Sequence, residues 1–455
     1  MSSIKIPSEL FKKYDVPAPR YTSYPTVPYW SDSPIAEEWI EHLNKALVQE
    51  NASWSLYIHI PFCETLCTFC GCNTSITKNH EVESPYLQTL LKEWDLYKKS
   101  SPLLLKKTLK HLHLGGGTPT FFSPGHLKKL LEVILSDCKI DKKDFEGSIE
   151  VDPRRTSDEH LAVLKSLGFN RVSLGVQDFD PEVQRIVNRV QPYEQTKRIT
   201  DKARELGFES VNYDLIYGLP KQKLDTIEYM ANKTVELRPD RIALYSFALV
   251  PWIKPAQRLF KDEEVPMGEE KRQLYEKARD ILLSAGYVEI GMDHFALADE
   301  ALAQAHAKGT LHRNFMGYTN QKTDVLLGLG VSAISESPTC FHQNEKVLPV
   351  YEKTIQGGKI ATLRGHKLSK EDQEFRQQIL ELMTLYRVKL KDKEQIDDIR
   401  VFLKAALEDG LAQVDDEGNL EVLEIGRPFL RNICMGLDQR MRSQQPQARI
   451  FSQSF

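Results

Sequence analysis

Four of the seven cysteines, Cys63, Cys67, Cys70 and Cys72, fall within ten residues of sequence, in the segment YIHIPFCETLCTFCGC. In a reduced setting, clustered thiols read as metal ligands or redox groups rather than bridges. Cys63, Cys67 and Cys70 form C-x3-C-x2-C. A structural zinc site shows two separated cysteine pairs, or cysteines followed by histidines at helical spacing. This chain supplies neither: Cys138, Cys340 and Cys434 stand alone, and no suitably spaced histidine pair accompanies them. Three thiolates on one tight loop suit three corners of an iron–sulfur cluster, which leaves the fourth iron open. Cys72 would complete an all-cysteine set, but a single glycine between Cys70 and Cys72 rarely lets both reach adjacent corners. Two readings of Cys72 remain, a small buried thiol and a proton or hydrogen-bond group beside a substrate.

The elements that position this loop follow from the pattern around it. β-Branched runs at 55–60, 110–114, 147–151, 171–176, 210–217 and 241–247 alternate with amphipathic stretches at 84–99, 123–137, 156–168 and 196–207. Several of these stretches begin at Ser or Thr and stop at Gly, as helix caps do. Strand–helix units in series predict a parallel α/β sheet, because parallel strands need helical crossovers. Six units are too few to close an eight-stranded barrel, so the expected fold is a partial (β/α)6 barrel. On this layout the cysteine loop follows strand one and GGGTPT follows strand two. Glu150, Gln177, Asp214 and Ala248 then sit at the ends of strands three to six. All are carboxyl ends, where parallel barrels build their sites.

The chain has 455 residues, and Lys+Arg 60 against Asp+Glu 64 gives a net charge of −4, which argues against a polybasic nucleic-acid binder. The N-terminal residues lack a secretory apolar core, and no run of 18 apolar residues occurs, so a cytoplasmic protein without a membrane span is expected. Three regions are expected: an N-terminal lid segment (1–50), the barrel with its extension (51–365), and a mainly helical C-terminal domain with a β-hairpin at 411–423 (366–455). That last domain reads either as a winged-helix-like accessory or as a plain cap. His59, His111 and His113, on or beside strands, read as hydrogen-bonded or ligand-lining groups rather than metal ligands. Trp252 reads as rim packing, and the Lys/Glu-rich stretches at 261–280 and 389–408 as solvated faces.

The cysteine motif followed by a Gly-rich turn after the second strand resembles the radical S-adenosylmethionine (SAM) superfamily. Within it, the chain is similar to the oxygen-independent coproporphyrinogen III oxidase family. The segments PRYTSYPT (19–26), LYIHIPFCETLCTFCGCN (56–73), HLGGGTPT (113–120), EVDPR (150–154), GVQDF (175–179), VNR (187–189), NYDLIYGLPKQ (212–222), GMDHFA (291–296), LHRNFMGYT (311–319), GVSAIS (330–335) and RNIC (431–434) carry the likeness. The resemblance implies a [4Fe-4S] cluster on Cys63, Cys67 and Cys70, with SAM chelated at the open iron and cleaved to a 5′-deoxyadenosyl radical. By motif, Tyr57, Gly116, Glu150 and Ile334 would contact this SAM. The glycine run would let backbone approach the ligand closely; alone, it would equally be a tight turn. A second SAM is implied at Phe69, Gly117, Thr118, Gln177, Arg189, Asp214 and Ala248. Residue by residue, Glu150 could be merely solvated, and Arg189 an exposed helix residue.

The implied substrate is coproporphyrinogen III, a tetracarboxylate, two of whose propionates become vinyls in protoporphyrinogen IX, a step of haem biosynthesis. Its carboxylates call for arginine, and Arg20 and Arg313 are the candidates, Arg20 being equally readable as a surface residue. With Tyr21 and Tyr24, the N-terminal segment is expected to fold over the barrel mouth and exclude water and oxygen. Cys72 joins Arg20, Tyr21, Tyr24 and Arg313 as candidate catalytic residues. The implied partners are the porphyrinogen and an electron donor that the sequence does not identify, and the chain is expected to be a monomer. Two other activities are weighed against this one: a haem-trafficking chaperone of the same superfamily, and a radical SAM methyltransferase acting on a haem-like ring. The segments PRYTSYPT and HRNFMGYT, with Cys72, favour the oxidase.

Overall fold

A computed structural model describes residues 6–443 and 451–453. The outer ends of the expected lid segment and C-terminal domain, residues 1–5, 444–450, 454 and 455, lie outside the described residues. The chain divides into two compact units, one comprising Trp30–Asp214 and Gln321–Leu368, the other Met1–Tyr29, Leu215–Asn320 and Ser369–Phe455.

The six expected strands are β1 (Ser53–Ile60), β2 (Thr108–Gly116), β3 (Glu146–Val151), β4 (Phe169–Gln177), β5 (Ser210–Tyr217) and β6 (Arg241–Ser246). In the first unit β1, β2, β3 and β4 pair in parallel, in register Tyr57–His113, His113–Ser148 and Glu150–Ser173. Alternation along each strand then puts Tyr57, His113, Ser148, Glu150 and Ser173 on one face. The helices between them form as their caps require. Ser123 accepts the His126 N–H ahead of Pro124–Asp137, and Ser157 accepts that of His160 ahead of Asp158–Ser166. Leu127, Leu130, Leu131 and Ile134 are fully buried along one stripe of the first of these helices. Each such side chain contributes about 1.5–3 kcal/mol of burial.

The sheet extends beyond the six expected strands. In the first unit β9 (Val325–Leu329) pairs parallel with β1, and β10 (Ile334–Ser337), β11 (Cys340–Asn344) and β12 (Thr362–Lys367) follow as antiparallel neighbours. In the second unit β7 (Tyr287–Ile290) and β8 (His294–Leu297) are antiparallel, and β8 pairs with β6. The turn between β9 and β10 is clamped by buried Glu93, whose carboxylate accepts from Gly330 N–H at 2.7 Å, Tyr351 O–H at 2.6 Å and Asn344 Nδ2 at 2.6 Å. Burial outweighs these donors and pushes the Glu93 pKa up to about 7. The folded state therefore takes up a proton between the unfolded pKa, about 4.3, and 7. The associated stability is complete below the unfolded pKa and is lost as pH rises through 7. Urea midpoints should fall more steeply from pH 5 to pH 8 in the wild type than in Glu93→Gln; equal slopes would contradict this.

The C-terminal residues form helices Lys370–Leu385, Lys393–Phe402 and Lys404–Glu408 and the expected hairpin, Ala412–Val414 with Asn419–Val422. Arg387–Lys389 adds a third strand to it. After the hairpin, Leu430–Cys434 and Gln439–Ser443 are separate short helices. Phe11, Tyr21 and Tyr24 are buried in one apolar core with Ile379, Leu382, Leu420, Phe429 and Ile433. Tyr21 and Tyr24 are thus core side chains rather than the lid side chains expected of them. Burying two aromatic rings against these helices is worth more than leaving them over an open mouth.

Candidate active site: the cysteine loop and the strand ends

The cysteine loop is fastened at several points within the first unit. Phe62–Cys63 and Ser75–Ile76 pair as short parallel strands. Thr68 N–H donates to Val187 O at 3.1 Å, and Asn188 Nδ2 donates to Leu66 O at 2.8 Å. The VNR segment therefore holds the middle of the loop. His59 Nε2 meets Asn73 O at 2.9 Å and ties down its far end.

Electrostatics single out Cys67. Its sulfur lies 3.8 Å from Arg154 Nη2 and 3.7 Å from Arg189 Nη1. Both guanidiniums are held by one buried carboxylate, Asp152, at 2.7 and 3.2 Å. Burial opposes the charge on Asp152, but Arg189 and Arg154 prevail and hold its pKa at about 2. Two cations at one sulfur would offset the negative charge of a metal-bound thiolate. Arg189, expected from its motif, is thus a buried residue, not an exposed helix position. Asp152 and Arg154 were not among the expected site residues; the signal was present in DPR, which begins two residues after Glu150.

Cys63 Sγ lies 3.3 Å from Thr118 Oγ1, and burial pushes its thiol up to about 11. Cys72 is exposed, and its backbone N–H donates to Cys70 Sγ at 3.4 Å. Its own thiol is raised well above the usual range, first by a hydrogen bond with Cys70. Among the described residues no three His, Cys, Asp or Glu side chains converge as ligands of a single ion. In a tetrahedral zinc site, with Zn–S near 2.3 Å, the sulfurs crowd to within about 4 Å. A cubane cluster places each thiolate on a different iron, which suits a more open loop.

The glycine run packs differently from the expectation. A Cβ on Gly117 would come within 2.5 Å of Pro61 O, and one on Gly116, whose φ is +118°, within 2.8 Å of Ile60 O. Gly117 N–H and Thr118 N–H donate to Ile60 O and Phe62 O at 2.8 and 2.9 Å. The side chains are missing so that β2 can lie against the chain entering the cysteine loop, not to leave room for a ligand on that side. Gly117→Ala should displace the loop and lower iron content per chain. Gly125→Ala, with nothing within 4 Å of its added carbon, should not. Full iron loading in Gly117→Ala would contradict this packing.

Beside the loop, one polar row crosses the strand ends. Tyr57 stacks on His113 at 5.9 Å; His113 bonds Ser148 Oγ at 2.6 Å and faces Glu150 Oε1 at 3.3 Å. His111 also bonds Ser148, at 2.8 Å. The strand histidines are therefore hydrogen-bonded groups of the sheet. Asp214, flanked by apolar neighbours in sequence, accepts from Ser173 Oγ at 2.8 Å and Asn212 Nδ2 at 3.0 Å. Gln177 holds a left-handed φ of +68° at the end of β4, a strained state common where strands present functional groups. Arg189 Nε is buried without a hydrogen-bond partner. Half-exposed Glu150 is an acceptor suited to the amine or ribose of SAM, and the orphaned Arg189 Nε a donor suited to a carboxylate. Ile334 is buried at the start of β10, and Phe69 is half-buried within the loop.

The remaining candidates lie in the second unit. Ala248, just past β6, accepts at its carbonyl from Gln257 Nε2 at 3.1 Å. Arg20 Nη2 donates to Ser246 O at 3.0 Å, and its Nη1 stands 4.0 Å from Asp293. Arg313 is buried, donates to Arg20 O at 3.3 Å, and lies 4.3 Å over the Tyr318 ring. It braces Arg20. So does the next residue, Tyr21, which donates to Asp438 at 3.2 Å and holds a φ of +47°.

The chain was compared with known proteins. The Radical SAM superfamily model matches residues 57–234. Oxygen-independent coproporphyrinogen III oxidase of Pseudomonas aeruginosa is 37% identical over 453 residues, covering 97% of this chain and 98% of its own. The protein of that name from Escherichia coli is 39% identical, covering 95% of each chain. A solved structure of the Escherichia coli coproporphyrinogen III oxidase, described as a radical SAM enzyme, superposes with a TM-score of 0.89 at 37% identity, over 96% of this chain and all of that one. Membership of the superfamily implies a [4Fe-4S] cluster and SAM, which the cysteine loop, with two guanidiniums at the Cys67 sulfur, and the polar groups of Glu150 and Arg189 fit. With the partial barrel, the cysteine loop and this full-length likeness together, the chain belongs to the oxygen-independent coproporphyrinogen III oxidase family of radical SAM enzymes.

Proposed function

We infer that the chain oxidatively decarboxylates two propionates of coproporphyrinogen III to vinyls, giving protoporphyrinogen IX without oxygen. The observation that carries this reading is the C-x3-C-x2-C loop fixed at the carboxyl ends of the parallel strands, in a chain alike over its length to proteins named for that substrate. Cys63, Cys67 and Cys70 would hold three irons, while Arg154 and Arg189 offset negative charge at the Cys67 sulfur. When bound, the cluster and SAM together supply a 5′-deoxyadenosyl radical able to take a hydrogen atom from a propionate β-carbon. The β-carbon radical then loses CO2 and passes one electron to a separate one-electron acceptor, which leaves the vinyl group. Glu150 would accept from the ribose or amine of SAM, next to Tyr57 and Ile334. Phe69, Thr118, Gln177, Arg189, Asp214 and Ala248 would serve a second SAM molecule, making two per chain. Cys72, exposed in the structure, would exchange a proton or hydrogen bond with substrate.

No helix among the described residues is long and apolar enough to cross a membrane. The reading includes a monomer working in the cytoplasm with a separate electron donor. Substrate deuterated at the propionate β-carbons tests it: deuterium should appear in the 5′-deoxyadenosine released during anaerobic turnover. Vinyl product with unlabelled 5′-deoxyadenosine would refute hydrogen abstraction from that carbon.

A further inference from the structure

In the first unit, the polar row that crosses β1, β2 and β3 has a direction. Ser148 Oγ lies 2.6 Å from His113 Nδ1 and 2.8 Å from His111 Nε2, and its hydroxyl has one proton to share between these two rings. The other nitrogen of His113, Nε2, faces Glu150 Oε1 at 3.3 Å. An ionised carboxylate only accepts, so the proton of the neutral imidazole sits on Nε2 and His113 is the donor to Glu150. Its Nδ1 then accepts the Ser148 proton, and His111 Nε2 donates to the Ser148 oxygen. Glu146, an acceptor 3.5 Å from that same His111 nitrogen and paired with Arg171 at 2.8 Å, favours the same arrangement. Each hydrogen bond of the row therefore points from His111 through Ser148 and His113 to Glu150.

A second histidine fixes Tyr57 in the same way. His59 Nε2 meets Asn73 O at 2.9 Å, and a carbonyl only accepts, so that nitrogen bears the proton. Burial disfavours the charged ring and holds its pKa below the usual value. His59 Nδ1 is therefore an acceptor, and Tyr57 O–H donates to it at 3.0 Å. That commits the phenol proton and leaves the Tyr57 oxygen with lone pairs. Unlike Gly116 and Gly117, Gly115 borders side chains: a Cβ there would come within 3.1 Å of Tyr57 Oη and 3.2 Å of Glu150 Oε1. The two acceptors thus converge over Gly115, each held from behind by a histidine. Acceptors placed side by side call for a ligand that brings donors.

We propose that His113 and Ser148 are positioning residues: they hold Glu150 as an ionised acceptor beside the Tyr57 oxygen, where the two together take a donor-bearing group of SAM. The proposal rests on the SAM contact assigned to Glu150 above and deepens it. His113 acts from behind the carboxylate, which leaves the half-exposed Glu150 side chain lone pairs for the ligand. Ser148 is buried and acts one step further back. Its hydroxyl keeps the His113 proton on the nitrogen that faces Glu150. Without that hydroxyl the ring can carry its proton on Nδ1 instead and turn a lone pair to the carboxylate.

The test is anaerobic titration of SAM into the full chain with its cluster reduced and no porphyrinogen present, followed by the change in the electron paramagnetic resonance of the cluster. Glu150→Gln should weaken SAM binding about 10- to 100-fold, the size of a charge-assisted hydrogen bond. His113→Phe, which keeps a ring against Tyr57 but has no N–H, should weaken it about 10-fold; His113→Gln, which restores a donor, should recover part of the loss. Ser148→Ala should weaken it about 3- to 10-fold, and it serves alone if the phenylalanine variant does not fold. Because His113 acts through Glu150, His113→Phe combined with Glu150→Gln should bind no more weakly than Glu150→Gln alone. A purely structural role would not show that coupling. Wild-type SAM affinity in His113→Phe or in Ser148→Ala, or additive losses in the double variant, would overturn the positioning role while leaving the Glu150 contact intact. Wild-type affinity in Glu150→Gln would overturn that contact, and the proposal with it.

Discussion

Cys67→Ser should abolish cluster assembly and turnover while leaving the chain folded. Among the cysteines, Cys67 is the one whose sulfur both Arg154 and Arg189 approach. A serine hydroxyl there stays protonated at neutral pH and cannot replace a soft thiolate on iron. Iron and sulfide per chain, with the visible absorbance of the reconstituted protein, measure the effect. Cys138→Ser is the control, because that residue lies beside Asp137 at the end of a helix, away from the motif. Unchanged iron in Cys67→Ser would remove the ligand assignment and, with it, the proposed chemistry.

The second large effect is expected at Asp152. Asp152→Ala leaves two guanidiniums, Arg154 and Arg189, without the carboxylate that holds them together. Breaking a buried ion pair from one side costs about 3–5 kcal/mol, so the urea midpoint of the apo chain should drop accordingly. The released arginines should also lose their aim at Cys67, and the midpoint potential of whatever cluster assembles should become more negative, since fewer donors offset its charge. Asp152→Asn, which keeps an oxygen acceptor, should fall between. An unshifted potential in a stably folded Asp152→Asn or Asp152→Ala chain would show that the arginines do not act on the cluster.

The six parallel strands were readable because each is a β-branched run bounded by turn residues, and the cysteine loop was readable because ligand spacing is a local property. What failed was non-local. The run VLLGLG was not among the expected strands, yet Val325–Leu329 is a strand buried throughout and paired with β1. Its continuous apolar pattern has no period that distinguishes it. Tyr21 and Tyr24 lie in a polar, proline-bearing segment, so nothing nearby shows that a core formed by residues 379–437 will bury them. Gly117 was placed correctly, but the reason for it was not. A sequence shows that a side chain is absent and not which neighbour, here Pro61 O, requires the absence. Asp152 and Arg154 sit two and four residues after Glu150; only folding shows that they converge with Arg189 on one sulfur. Nor does the sequence show that Arg313, a candidate for substrate, donates through Nη2 to Arg20 O.

The central claim is that this loop and these strand ends perform oxidative decarboxylation on a tetrapyrrole. One anaerobic assay addresses it, combining the chain carrying a reduced cluster with SAM and coproporphyrinogen III, and resolving the products by mass. The account predicts a porphyrinogen in which two propionates have become vinyls, with CO2 released for each and no product when SAM is omitted. Porphyrin bound without turnover, or a product that has gained a methyl group, would contradict it.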